Sequence, residues 1–404
     1  MSEVLAHPHV ALAPLSASKP GLTLRNRIAV APMTRVSAAR DGRATEAMHR
    51  YYQAFAEGGF GLVITEGTYV DRAHSQGYTN QPGLATDAHT AAWRPIVEAV
   101  HRGGAKFFAQ LMHAGALVQG NEYRAEPVGP SAILPKGEQM PAYGGSGLYH
   151  VPRAMNEDDF RAITEAFCSA ALRARDAGFD GVELHGANGY LFDQFLTTYT
   201  NLRTDDYGGG VENRIRFTAE VLRAVVEAVE PGFVVGVRLS EAKVNDKHYA
   251  WPGGGDDARI IGRALRDAGA SYLHFAGGGP DFHFPTKLHQ GGSLTQILRE
   301  VAQVPVIANG SMGHLPNAER VLEEGHADVV ALGRSALANP DWPSRLARGI
   351  PFEPYDFRII QPSASLANAA AWREAQKLQA NSVSVVNMNT GIEVPSTLRD
   401  GIVP

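Results

Sequence analysis

The feature that most constrains this chain is a regular alternation of short apolar runs with helical patterns. Eight such runs occur: "RIAVAPM" (27–33), "FGLVITE" (60–66), "AKFFAQLM" (105–112), "DGVELH" (180–185), "FVVGVRLS" (233–240), "SYLHFA" (271–276), "VPVIAN" (304–309) and "DVVALG" (328–333). Several are apolar almost throughout, as strands buried on both faces of a parallel sheet must be. Between them, residues 89–104, 156–178 and 211–232 and three later stretches place apolar residues at helical spacing. Asn156 precedes acids at one helix start and Gly178 stands at its end, the composition of an N-cap and a C-cap. Eight strands each followed by a helix predict an α/β fold of the (β/α)8 TIM-barrel type. An open doubly wound sheet would favour G-x-G-x-x-G after the first strand, where this chain has "APMTRV". The barrel is expected over residues 1–360, a length such barrels use as one domain.

Two regions break the alternation. Residues 113–155, rich in Pro and Gly, form a long insertion between the third strand and its helix, the kind of loop that often serves as a lid. Residues 361–404 are expected to form a short helix followed by an extended tail.

Composition narrows the function. The formal net charge is −5 and no Lys/Arg run could track phosphates along a nucleic acid, so no nucleic-acid partner is expected. Cys168 is the single cysteine, which excludes an intrachain disulfide and any four-cysteine zinc or iron–sulfur centre and fits a reducing compartment. It sits in a helical apolar pattern and is expected to be buried. No signal-peptide pattern and no long apolar run is present, so a cytoplasmic protein without a membrane partner is expected.

Barrels of this kind carry their active sites at the C-terminal ends of the strands. The polar and glycine residues there are Thr34, Glu66, Gly67, Thr68, Gln110, His113, His185, Asn188, Tyr190, Arg238, Asn309, Gly310, Ser311, Gly333 and Arg334. Gln110 and Arg238 follow apolar alternations that turn them inward, where a pair suits a ligand with acceptors and some negative charge. Equally, each could be satisfied by an internal hydrogen bond. Gly310 and Gly333 directly follow consecutive strands, where barrels often bind phosphate, with Arg334 able to add charge. The same glycines could also serve only as tight turns.

The stretch "VELHGANGYLFDQFL" (182–196) places His185, Asn188 and Tyr190 within six positions. His185 and Asn188 can both bond one oxygen, and Tyr190, with a reference pKa of about 10, is a proton donor at neutral pH. No second His or carboxylate lies at metal-ligand spacing nearby, and no G-x-S-x-G nucleophile motif occurs. Carbonyl polarisation with proton delivery remains, and the harder step falls to a bound cofactor.

The segment "VELHGANGYLFDQFLTTYTNLRTDDYGGGVENRIRF" resembles the signature of the old yellow enzyme family, the FMN-dependent ene-reductases. The resemblance continues through "NRIAVAPMTR", "VITEGTYV", "FAQLMHAG", "GVRLS", "IANGSM" and "ALGRSALANPDWPSRLARG", over residues 12–355. It implies FMN as cofactor and NADPH or NADH as reductant. It implies that Ala31, Pro32, Met33 and Thr34 line the flavin, with Gly67 packed close to the ring. Gln110 and Arg238 would meet its pyrimidine edge, and Gly310, Ser311, Gly333 and Arg334 its phosphate. His185 and Asn188 would bind the carbonyl or nitro oxygen of an activated alkene. Hydride would pass from flavin N5 to the β-carbon, and Tyr190 would protonate the α-carbon.

Alternative activities on such a scaffold are nitro or nitrate-ester reduction and pathway-specific oxidation or isomerisation. Residues 363–370 carry no tyrosine where many members have one closing the pocket, so Tyr123, Tyr143 and Tyr149 of the insertion are expected to shape it. A Schiff-base aldolase is disfavoured because none of these strand ends carries lysine. The expected assembly is a monomer or homodimer.

Overall fold

The computed structural model describes residues 9–16, 22–124, 126–277 and 292–390. Eight parallel strands close on themselves: β1 (Ile28–Val30), β2 (Leu62–Ile64), β3 (Lys106–Met112), β4 (Gly181–Asn188), β5 (Val234–Lys243), β6 (Tyr272–Ala276), β7 (Val306–Asn309) and β8 (Val329–Leu332). Pairing of β8 with β1, Val330 opposite Ile28, completes the circle. The surrounding helices are α1 (Glu46–Glu57), α2 (Asp87–Arg102), α3 (Glu157–Ala177), α4 (Val211–Ala228), α5 (Gly255–Asp267), α6 (Leu294–Ala302), α7 (Leu315–Glu323) and α8 (Trp342–Arg348). The chain is therefore a (β/α)8 barrel, as the alternation predicts.

Period two within each strand sorts the side chains. Ala29, Ala31, Leu62, Ile64, Phe108, Val234, Tyr272, Ile307, Val329 and Ala331 form one buried cluster inside the barrel. Leu15, Leu22 and Leu24, at and beside a short antiparallel ladder of Leu15–Ser16 with Thr23–Leu24, join that cluster. The alternate residues, such as Val30, Val63, Phe107, Val182 and Val237, pack outward in the helical layer with Trp93 and Phe167. Two residues further along, and four along β5 past Gly236, the inward positions become Gln110, His274, Asn309 and Arg238, so the interior turns from apolar to polar towards its C-terminal mouth.

Several helix boundaries follow local chemistry. Asn156 and Asp159 exchange side-chain and backbone bonds of 3.0 and 2.8 Å as a capping box at α3, and Gly178 ends that helix at φ 97°. α2 starts at Asp87 rather than 89 because Thr86 caps the His89 N–H. β4 and β5 run past the expected ends because Asn188 still pairs with Lys243 across an irregularity in register.

Within the insertion, Val128–Gly129 pairs with Arg153–Ala154 and draws its two ends together. At the C-terminus one helix spans Leu366–Thr390, which overturns the expected extended tail at residues 381–390. The β-branched residues there lower helix propensity only slightly, and the first strong breaker is Gly391. Residues 391–404 lie outside the described residues. Ala369 and Trp372 of this helix pack with Leu337, Ile359 and Met33. Cys168 is only half-buried, packed against the core of the helical layer from α3, which corrects the expectation of full burial. Among the described residues, no helix is long and apolar enough to cross a membrane.

Candidate active site

A cavity of 680 Å³ opens at the C-terminal mouth of the barrel. Pro32, Met33, Thr34, Gly67, Gln110, His185, Asn188, Tyr190, Gly310, Ser311, Gly333 and Arg334 all line it. Ala31 and Arg238 are buried just behind its surface. Among the described lining residues there is no carboxylate, while Arg35 and Arg334 are present, so the cavity is biased towards an anionic ligand.

The turn after β4 is held by bonds the sequence pattern does not reveal. Asn188 takes a left-handed φ of 62° and Gly189 one of 91°. The Asn188 N–H donates to Ser240 Oγ at 2.8 Å, and the Gly189 N–H to Asp193 Oδ2 at 2.7 Å. Gln194 Nε2 donates to the Gly189 carbonyl at 2.7 Å, while its Oε1 accepts from the Ala116 N–H at 3.0 Å. Lys243 Nζ lies 2.5 Å from Asp193 Oδ1 in a fully buried ion pair. A non-glycine residue in left-handed backbone persists when its surroundings over-determine it, and these bonds do so. Burial pushes the Asp193 carboxyl up to about 6 and lowers the Lys243 ammonium, but opposite charge in contact opposes both shifts, and the pair stays ionised at neutral pH.

His185 and Tyr190 stand edge to face, their rings 4.9 Å apart. Burial, then the Arg238 charge, holds the imidazole at about 3, so His185 is neutral at any ordinary pH. Burial and the nearby Tyr143 and Tyr149 hold the Tyr190 phenol well above its usual value, so it keeps its proton. A neutral imidazole, an amide and a protonated phenol can bind an oxygen and deliver a proton.

Inside the mouth, Gln110 and Arg238 do not pair with each other. Gln110 Nε2 donates to Glu183 Oε1 at 2.8 Å. Glu183 Oε2 accepts from Tyr272 Oη at 3.0 Å and His274 Nδ1 at 2.8 Å. Arg238 Nη1 donates to His274 Nε2 at 2.8 Å and Nη2 to Asn309 Oδ1 at 2.9 Å. Arg238 Nε and His185 Nδ1 are buried without a partner among the described residues. Two unmet buried groups at one cavity mouth indicate a ligand that supplies partners.

The loops after β7 and β8 use unusual backbone. Gly310 and Ser311 have φ of 125° and 52°, and Gly333 has φ −98° with ψ −94°. Ser311 is thus strained in a way a tight turn alone does not require of a non-glycine residue. Gly67 has a local reason as well: a Cβ there would stand 2.4 Å from Met112 Sδ. The Thr34 hydroxyl lies 2.9 Å from that of Tyr78, a residue the sequence pattern does not single out. Beneath it Glu66 accepts the Arg35 N–H at 2.8 Å, and burial lifts its carboxyl to about 7.

Of the insertion tyrosines, Tyr143 lines the cavity, and Tyr149 packs behind it with Tyr78 and Tyr190. Tyr123 instead bonds Tyr69 at 3.1 Å and does not line the cavity. The C-terminal segment contributes Tyr355, Phe357 and Ile360. β5 does end in a lysine, contrary to expectation, but Lys243 is spent on Asp193 and does not line the cavity.

The motif "DYGGGVENR" has a structural role. Arg214 Nε donates to the Leu196 carbonyl at 3.0 Å and Nη1 to that of Gly209 at 2.6 Å. It thereby ties α4 to the short helix Leu191–Leu196 that follows the turn. The functional residues that sequence reasoning misses are chiefly Glu183, Asp193, Lys243 and His274. Their one signal is a charged or titratable residue within an apolar strand or helix run, which demands a partner without naming it.

The profile of the family described as NADH:flavin oxidoreductase / NADH oxidase matches residues 13–353. The chain is similar to an NADH oxidase of Thermoanaerobacter brockii, 36% identical over 81% of this chain, though it spans only 49% of that protein's length. It is 35% identical, over 83% of this chain and 90% of the relative, to a protein of Leishmania infantum named "Probable flavin mononucleotide-dependent alkene reductase". The structure of an old yellow enzyme homologue from Zymomonas mobilis superposes with a TM-score of 0.76 at 34% identity, covering 85% of this chain and 94% of that one. Morphinone reductase in complex with tetrahydroNAD gives 0.73 at 34% identity, with coverages of 87% and 93%.

Proposed function

The chain belongs to the NADH:flavin oxidoreductase / NADH oxidase family, the old yellow enzyme family, and from that membership we propose that it uses NADH or NADPH to reduce the activated C=C bond of α,β-unsaturated carbonyl or nitro compounds. The observation that carries this reading is one cavity holding His185, Asn188 and Tyr190 together with the two glycine loops after β7 and β8.

The residues fit FMN. Arg238 has a buried Nε–H with no partner among the described residues, and the lining bears cations and no described carboxylate. Pro32, Met33, Thr34 and Gly67 would line the flavin, with Ala31 behind them, while Gln110 and Arg238 would meet its pyrimidine edge. Gly310, Ser311, Gly333 and Arg334 would take the phosphate. The chemistry FMN would supply there is hydride donation to the β-carbon, after reduction by the nicotinamide.

His185 and Asn188 hold the substrate's oxygen and draw electron density towards it, which makes the β-carbon electrophilic. Because His185 is neutral, it polarises by hydrogen bonding rather than by full protonation. The Tyr190 hydroxyl gives its proton to the α-carbon. Tyr143 and Tyr190 close the substrate side with apolar rings and exclude water.

The test is a visible spectrum of the purified protein, then anaerobic reduction by NADH or NADPH and reoxidation by 2-cyclohexenone or a nitrate ester. A flavin bleached by the nicotinamide and reoxidised by the enone supports the proposal. A protein that stays colourless with added FMN defeats it, and reoxidation by the nitrate ester alone moves the assignment to that chemistry.

A further inference from the structure

Glu183, His274 and Arg238 form a buried chain of which the chemistry above uses only Arg238. The atoms allow one protonation pattern. A Glu183 carboxylate can only accept, so His274 Nδ1, 2.8 Å away, carries the hydrogen. A guanidinium can only donate, so His274 Nε2, 2.8 Å from Arg238 Nη1, offers its lone pair. Nδ1 also lies 3.2 Å from Nη1, but two donors cannot bond, and the Nε2 contact is the real one. Burial, then the Arg238 charge, holds this imidazole at about 4, consistent with the neutral form. Burial alone would raise Glu183, but His274, Arg238 and Gln110 outweigh it and hold the carboxyl below its usual range.

The chain has a consequence for the cavity. Direct pairing of Arg238 with Glu183 would occupy its fork and cancel its charge locally. The imidazole keeps the carboxylate one ring away, and Asn309 takes the second Nη, its own Nδ2 fixed on the Ala331 carbonyl at 2.8 Å. The remaining Nε–H is left buried and without a partner among the described residues.

We propose that His274 is a positioning residue whose imidazole spaces Glu183 from Arg238, so that Arg238 keeps both its orientation and its positive field for the anionic ligand of the cavity. This rests on the flavin reading above. The charge balance is that of the folded protein: no proton is gained or lost within the chain. A nearby uncancelled cation favours the more negative, reduced state of a bound cofactor.

The test is FMN affinity and the midpoint potential of the bound flavin in purified protein. In H274L, Arg238 is free to fall onto Glu183. FMN dissociation is expected to rise about 10-fold, the cost of a charge-assisted bond, and the potential to become more negative. H274Q, whose amide can donate to Glu183 and accept from Arg238, is expected to restore both. E183Q removes the opposing charge and is expected to shift the potential the other way. A merely structural role would not give shifts of opposite sign.

Unchanged affinity and potential in H274L overturn the proposal. If H274L does not fold, H274N, whose shorter amide cannot reach both partners, takes its place: weaker FMN binding with a more negative potential supports the proposal, and unchanged values overturn it. Wild-type protein that takes up no FMN overturns the flavin reading and this proposal together, whereas wild type and H274L with equal affinity and equal potential overturn the proposal only.

Discussion

Two buried charge pairs flank the cavity, and they are built differently. Glu183 and Arg238 are joined through an imidazole, and Arg238 retains an open donor. Asp193 and Lys243 touch directly at 2.5 Å behind the turn, with side-chain exposures of 0% and 1%. On the proposed reading the first pair presents charge to a ligand, while the second keeps its charge to itself and fixes backbone. A buried charge with an open valence marks a binding function, and a closed pair marks positioning. Neither follows from the presence of a buried charge alone.

This contrast can be broken experimentally. The ceiling for the turn is set by Tyr190→Phe, expected to slow alkene reduction about 10²–10⁴-fold while leaving reduction of the flavin by nicotinamide nearly unchanged. Stopped-flow measurement of the two half-reactions checks this, and equal losses in both would remove Tyr190 from its role.

Lys243→Met breaks the closed pair and is expected to cost about 3–5 kcal/mol of stability. The sign with pH is fixed. The stranded Asp193 carboxyl has a folded pKa raised above its unfolded value. The loss is therefore small below the unfolded value and grows as pH rises through the folded one. Denaturant unfolding at several pH values reads it. FMN affinity should change little, and a large loss of FMN binding would erase the distinction between the two pairs.

Arg238→Met opens the other pair and is expected to weaken FMN about 10–100-fold, measured by fluorescence titration. Retained FMN affinity would place Arg238 in the scaffold with Lys243.

The smallest expected effect is a null one. His185 protonates only near 3, so it should give alkene turnover no limb between about pH 5 and pH 8. Glu66, at about 7, does titrate in that window, so the profile is read in Glu66→Gln protein. A limb near the ordinary histidine value that disappears in His185→Asn would show that burial does not set the His185 proton.

Much of the site was legible residue by residue. His185, Asn188 and Tyr190 declared themselves as polar groups at the end of an apolar strand, and the structure gathers them in the cavity with Thr34, Gln110, Gly310 and Arg334. Tyr123 was misjudged because a long insertion gives no sign of which tyrosine turns inward. Phe357 and Tyr355 were missed because they follow the last strand and carry no periodic signal. The extended reading fails at residues 381–390 because no strong helix breaker stands before Gly391.

The sequence by itself determined the barrel and the residues at its mouth. Strand and helix periods act over a few residues and need no knowledge of neighbours. Tertiary structure alone decided the partnerships. His274 meets a carboxylate 91 positions away and a guanidinium 36 away, and Lys243 meets Asp193 across 50. Such pairings depend on strand register and barrel closure, which bring inward residues of different strands to one level. That is why the same charged residues, read along the chain, said only that each would need a partner.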